Sequence, residues 1–221
     1  MSRTTLKIAV TLFPGVNTLD YAGPIEVLST LSPELLATGL IGDSPYDVES
    51  TYFGYTKDPI KPMAGPKVIP DKTYDEVGAG EQYDVIVVPG GFGSEPQNVK
   101  PPVLSFLQKQ APGAKYVLSV CTGSWLLAQA GLLEGKRATT NRALFKRVQE
   151  ATSNVQWDPK ARWVVDGKYW TAAGVTAGID TAYAFLENLV GKELTTKARA
   201  LLEYNVRSQE DTEFAQYNGL L

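Results

Sequence analysis

One cysteine, Cys121, stands in a chain of 221 residues that has no histidine. Those two counts bound the chemistry the chain can do with its own side chains. Ser-His-Asp and Cys-His relays are excluded, and so are zinc sites built from His and Cys. Any acid or base working near neutral pH must be a carboxylate, a lysine, a tyrosine or the thiol itself. For a reactive cysteine, that points to an Asp or Glu. Residues 116–120 before the thiol form a short apolar run suited to a buried parallel strand. Residues 124–133 after it have the apolar spacing of a helix that Gly131 can end. Only Thr122 and Gly123 lie between, so the chain must turn sharply from strand to helix at the sulfur. That is the logic of a nucleophile elbow, with sulfur in place of a hydroxyl. Unpaired N–H groups and the positive end of the helix dipole would favour the thiolate there.

The rest of the chain supplies the elements that must position this elbow. Residues 6–13 read as a buried first strand, ended by Pro14 and Gly15. A loop over 16–23 carries Asp20, and Pro24 suits the first turn of a helix running to about Leu31. A short helix is expected over 33–38, a strand over 46–53, and extended edge segments or a hairpin over 59–70. Residues 83–88 are the clearest buried strand, followed by Pro89-Gly-Gly-Phe-Gly93. A helix is expected over 101–110 and a short strand over 137–139, after which Asn141 caps a helix through Val148. Short strands over 155–157, 161–165 and 169–171 surround an Asp166-Gly167 turn. Gly174 to Asp180 leads into helices over 181–189 and 193–202, and a polar tail from Glu203 wraps the surface. Strands alternating with helices give an α/β class with a mostly parallel central sheet. Ligands bind such sheets outside the carboxyl ends of the strands. The loops at 14–23, 89–93 and 121–123 all lie there and should converge on one pocket.

Bulk composition narrows the functional classes. Hydrophobic content of 43% and charged content of 20% are ordinary for a globular protein. The net charge of −3 gives no reason to expect nucleic acid or an anionic membrane as partner. No apolar run approaches the roughly 20 residues of a membrane span. The start lacks a signal-peptide core, and one cysteine cannot form an internal disulfide, so the expected location is the cytoplasm. The expected organisation is a single domain with its core over about 6–203 and a wrapping tail over 204–221.

Several motifs together resemble the PfpI branch of the DJ-1/PfpI superfamily. They are Ser119-Val-Cys-Thr-Gly-Ser124, Ala130-Gly-Leu-Leu-Glu-Gly-Lys-Arg-Ala-Thr-Thr140, Val88-Pro-Gly-Gly-Phe-Gly93, Leu19-Asp-Tyr-Ala-Gly-Pro24 and Val175-Thr-Ala-Gly-Ile-Asp180. Within that branch the chain looks most like isocyanide (isonitrile) hydratases. The resemblance implies a flavodoxin-like three-layer sandwich, usually a homodimer. It implies Cys121 as nucleophile, Asp20 as the acid beside it, and backbone N–H groups of Gly91 and Thr122 aimed at the substrate, with Gly90 and Thr176 also at the pocket. The activity implied is hydration of R–NC to an N-formamide, with no cofactor and no metal. Glyoxalase or deglycase chemistry on methylglyoxal uses the same thiolate, and a non-catalytic redox or ligand-binding dimer is the reading from another class. The same core occurs in regulators with a C-terminal DNA-binding domain, which this chain is expected to lack. Two positions depart from the family. Many relatives carry histidine at 141, where this chain has Asn141, which weakens a peptidase reading. Trp125 replaces a smaller residue and could narrow the pocket.

Each residue also has a bland reading. Read without the family, Cys121 could be a buried structural cysteine. Asp20 could cap the helix near Pro24, and Glu26 reads as a surface acid favoured by the dipole. Gly90, Gly91 and Gly93 lack the spacing of a dinucleotide fingerprint and instead permit a tight turn or close backbone approach. Thr176 and Asp180 fit a helix start, and Asn141 fits an N-cap. The scattered carboxylates lack calcium-loop spacing.

Overall fold

The computed structural model describes residues 3–210 and 213–221. The strands are β1 (Thr4–Thr11), β2 (Tyr46–Gly54), β3 (Lys72–Thr73), β4 (Val85–Val88), β5 (Tyr116–Val120), β6 (Arg137–Ala138), β7 (Gln156–Trp157), β8 (Trp163–Asp166) and β9 (Tyr169–Ala172). The helices are α1 (Thr18–Leu28), α2 (Pro33–Ala37), α3 (Pro101–Gln110), α4 (Gly123–Gln129), α5 (Phe145–Glu150), α6 (Ala177–Leu201) and α7 (Glu213–Tyr217).

Seven strands form one sheet in the order β3-β2-β1-β4-β5-β9-β8. Every pair is parallel except β8 with β9. With its helices, the sheet makes a flavodoxin-like α/β sandwich. β4 shows why a continuous apolar run is needed in such a sheet: Val85, Ile86, Val87 and Val88 are all buried. Leaving any one of them exposed would forfeit about 1.5–3 kcal/mol. From β1 the chain leads to β2 on one side, while β4 lies on the other. The sheet therefore reverses its winding at β1 and β4, and a crevice opens beyond their carboxyl ends.

Several element boundaries differ from the sequence reading, among them α5, which begins at Phe145 and not directly after Asn141. α1 begins at Thr18, with Asn17 at its N-cap, so Pro24 lies inside the helix and not at its start. Pro24 has no N–H to give the Asp20 carbonyl, yet the helix continues. It is held in place by its packing on α6, where Gly23 lets it approach closely: a Cβ there would stand 2.7 Å from Ile179 Cγ1. Asp20 consequently sits in the first turn of α1, not on a loop. α4 ends at Gln129, short of Leu133. Gly131, at φ 76, turns the chain as Leu132 N–H bonds the Leu127 carbonyl at 3.0 Å. The two expected C-terminal helices run together as α6, divided at Gly191, whose φ of 78 and ψ of 169 are not helical. The expected extended segment over 59–70 is present as one antiparallel bridge between Ile60 and Val68. The tail is tied to the sheet by Arg162 N–H to Gln209 O at 2.8 Å and Gln209 Nε2 to Trp163 O at 2.7 Å.

Candidate active site

Cys121 follows β5 directly and has φ 58. Among the described residues only Cys121 and Glu203 hold positive φ without being glycine. The left-handed conformation costs a side-chain-bearing residue about 1–2 kcal/mol, so the rest of the fold must impose it. The close fit of α4 on β4 does so. A Cβ on Gly123 would collide with the Val88 carbonyl oxygen, so only glycine lets the helix begin against the end of that strand.

The other two loops meet the elbow as the sheet topology requires. Asp20 is fully buried. Its Oδ2 accepts from Gly90 N–H at 3.0 Å, its Oδ1 accepts from Asn17 Nδ2 at 2.8 Å, and the Cys121 side chain lies close enough to favour its ionised form. Asn17 N–H in turn donates to Gly90 O at 2.9 Å, which joins the first loop to the loop after β4. Gly91 sits at φ 124, where a Cβ would strike the Gly15 carbonyl oxygen. Its N–H donates to Thr122 Oγ1 at 3.0 Å.

Around the sulfur, the Thr122 N–H and hydroxyl and the Asn141 side chain are the groups that favour its charged form. Asn141 Oδ1 already accepts from Ala143 N–H at 3.0 Å and Leu144 N–H at 3.3 Å, which leaves its Nδ2 to face the sulfur. Asn141 does not cap α5, whose N-cap position is Leu144 without a side-chain cap; it closes the turn before that helix, and this turn orients a donor at Cys121. The Thr122 hydroxyl has one hydrogen, for which the Gly91 carbonyl at 3.5 Å competes with the sulfur.

The electrostatics reverse one expectation. Burial, with the Asp20 charge adding to it, pushes the Cys121 thiol up to about 12 despite the donors around it. Burial also raises Asp20 from 3.8 to about 7, against the opposing hydrogen bonds from Gly90 and Asn17 and the opposing effect of Cys121. The helix mouth is therefore outweighed by desolvation: the resting sulfur is a thiol and not a thiolate. A thiol held this high is slow to oxidise, which removes support from the oxidation-sensor reading.

Beside this centre lies a cavity of about 240 Å³. Asn141, Ala173 and Ala177 belong to its wall, and the two alanines also pack with Cys121 in one small apolar cluster. Arg142, Arg162, Thr176, Phe214 and Asn218 complete most of the lining. Among the described residues no group of three or more His, Cys, Asp or Glu could hold a metal ion, and no helix is long and apolar enough to cross a membrane.

The sequence-derived residues fall into three groups. Cys121, Asp20, Gly90, Gly91 and Thr122 come together. However, the N–H groups of Gly90 and Gly91 are engaged by Asp20 and by Thr122 Oγ1, so neither is a free donor for substrate, and the Thr122 N–H is directed at the sulfur itself. Thr176 lines the cavity but stands at the start of α6. Trp125 does not line the cavity. It is buried in the main core with the Arg147 guanidinium over its ring, so it does not narrow the site. Asp180 is a fully buried ion-pair partner of Arg162 and also accepts from Tyr204 OH and Arg207 N–H. The sequence reading missed Asn17, Arg142 and Arg162. Asn17 is of a residue type that favours the N-cap position, a signal that Pro24 overshadowed, although its side chain bonds Asp20 and not a backbone N–H. Nothing in the spacing of Arg162 announces its place.

An elbow at the end of β5, closed by two glycine-bearing loops and a buried acid, has counterparts in known proteins. The DJ-1/PfpI family profile matches residues 6–188. This chain belongs to the DJ-1/PfpI family. It is 36% identical over 199 residues to an isonitrile hydratase of Pseudomonas putida, covering 90% of this chain and 78% of that protein. It is 30% identical over 194 residues to the HTH-type transcriptional regulator GbdR of Pseudomonas aeruginosa, covering 87% of this chain and 51% of the regulator. The chain therefore spans about half the length of that relative. A solved ThiJ/PfpI family protein from Pseudomonas syringae aligns with a TM-score of 0.75 at 25% identity, covering 96% of this chain and 80% of the other.

Proposed function

We propose that this protein hydrates a small isocyanide, R–NC, to the N-substituted formamide, with Cys121 as nucleophile and Asp20 as proton carrier. The observation that carries this reading is the fully buried Asp20 carboxyl set beside the Cys121 side chain in a chain without histidine. The similarity to an isonitrile hydratase over 90% of the chain supports the same direction.

A neutral thiol suits this reaction. The isocyanide carbon must gain both a sulfur and a hydrogen. Ionised Asp20 takes the proton from sulfur as the S–C bond forms, then delivers it to that carbon, giving a thioformimidate, S–CH=N–R. A carboxyl held near 7 serves both halves of the transfer at neutral pH. Water then adds to the same carbon, losing one proton to Asp20, which passes it to the nitrogen; the proton left on the new hydroxyl is the one that later returns to sulfur. The C–S bond breaks, sulfur regains its proton, and R–NH–CHO leaves. The Thr122 N–H and the Asn141 amide stabilise sulfur as it departs, and covalent capture divides one difficult addition into two easier ones. The test is formamide release from an alkyl isocyanide measured beside lactate release from methylglyoxal. Formamide alone supports the hydratase reading. Lactate without isocyanide turnover would replace it with the glyoxalase one.

A further inference from the structure

The cavity beside Asn141 contains a group that the hydratase chemistry does not use. Arg162 lines this cavity and is 4% exposed. Its Nη2 donates to Asp180 Oδ2, and its Nε finds no acceptor among the described residues. Asp180 is shared with other donors, since its Oδ1 accepts from Tyr204 OH and Arg207 N–H. Arg142, also lining the cavity and 7% exposed, donates to Thr139 Oγ1 and to the carbonyls of Asp158 and Ala161, all of them neutral acceptors. The wall therefore holds two buried guanidiniums against one buried carboxylate. Only the half-buried Asp158 offsets the second charge, and an unpartnered N–H and an incompletely offset positive charge withdrawn from water are costly unless something completes them.

We propose that a carboxylate on the substrate completes them: the cavity receives a small isocyanide that carries its acid group toward Arg162 and Arg142 while its terminal carbon points at Cys121. Arginine forks match carboxylate geometry, and the low-dielectric wall strengthens the pairing. Phe214 of α7 and Asn218 close the same cavity from the tail side, which limits the ligand to a short one. The isocyanide part of this proposal rests on the function proposed above, whereas the carboxylate site does not.

The experiment compares 2-isocyanoacetate and 3-isocyanopropionate with their methyl esters as substrates, at constant ionic strength. In the same buffer, propionate and its neutral isostere propanamide are titrated while protein melting temperature is followed. At least one acid is expected to have a KM about tenfold or more below that of its ester, and propionate alone to raise the melting temperature. The variant Arg162→Gln with Asp180→Asn neutralises the pair while keeping hydrogen-bonding side chains at both positions, and should bring the acid-to-ester ratio toward one. Esters handled as well as acids, with propionate no better than propanamide, would overturn the proposal. A propionate effect without turnover of any isocyanide would keep the carboxylate site and remove the hydratase reading. Should the double variant fail to fold, the wild-type comparison of acid with ester and of propionate with propanamide still decides.

Discussion

Replacing Asp20 by Asn should make the protein more stable and less active at once. Asp20 is fully buried, and its carboxyl is raised from 3.8 to about 7, first by burial. The gap of roughly 3 between those values corresponds to about 4 kcal/mol at 1.36 kcal/mol each. The sign follows from where the proton prefers to be. The folded state holds it more tightly than the unfolded chain, so wild-type stability falls as pH rises from about 4 to just above 7, then levels. An asparagine does not titrate and escapes that loss. It keeps one oxygen for the two donors Gly90 N–H and Asn17 Nδ2, so one hydrogen bond worth about 1 kcal/mol goes. Asp20→Asn should therefore be about 1 kcal/mol less stable than wild type near pH 4 and about 3 kcal/mol more stable near pH 8. Urea unfolding of both proteins across that range, at fixed salt, reads the difference directly and cancels the titration of every other carboxylate. Parallel curves for the two proteins would refute the raised Asp20 pKa and, with it, the proton relay.

Other outcomes follow from the same geometry. The isocyanide kcat should rise with pH through about 7, because Asp20 must be ionised to accept the thiol proton. Stopped assays from pH 5 to 9 check this. Asn141→Ala removes the turn bonds to the Ala143 and Leu144 N–H groups, at about 1 kcal/mol. It also removes the donor facing sulfur, so kcat should fall by about tenfold or more while the KM changes less. Denaturation and steady-state kinetics on one preparation separate the two effects. Iodoacetamide should alkylate Cys121 at pH 7.5 far more slowly than it alkylates free cysteine, because the thiol stands near 12. Intact mass against time measures that rate.

Much of this was legible where local pattern and tertiary demand agree. The apolar run of β5 and the two residues before α4 leave no alternative to an elbow, and the left-handed Cys121 is its backbone signature. The same holds for α3, whose Pro101 start and Gln110 end coincide with the pattern. The sequence misled where one signal masked another. Pro24 is a strong helix-start residue, yet packing against Ile179 outweighs its missing hydrogen bond, so Asn17 and Asp20 move from loop to helix. The thiol was expected to be acidic because a helix mouth is visible in sequence, whereas the burial that outweighs it belongs to the whole fold. Arg162 was illegible for a similar reason. Its partner Asp180 lies 18 residues on, and its unpaired N–H exists only once the tail and β8 have closed around it.

The central claim, that sulfur and carboxyl act as one unit, is tested most directly by formamide yield from a simple isocyanide with wild type, Cys121→Ala and Asp20→Asn side by side. Turnover by wild type and near-complete loss in each variant, with both variants folded, is expected. Undiminished formamide production by folded Cys121→Ala would contradict it.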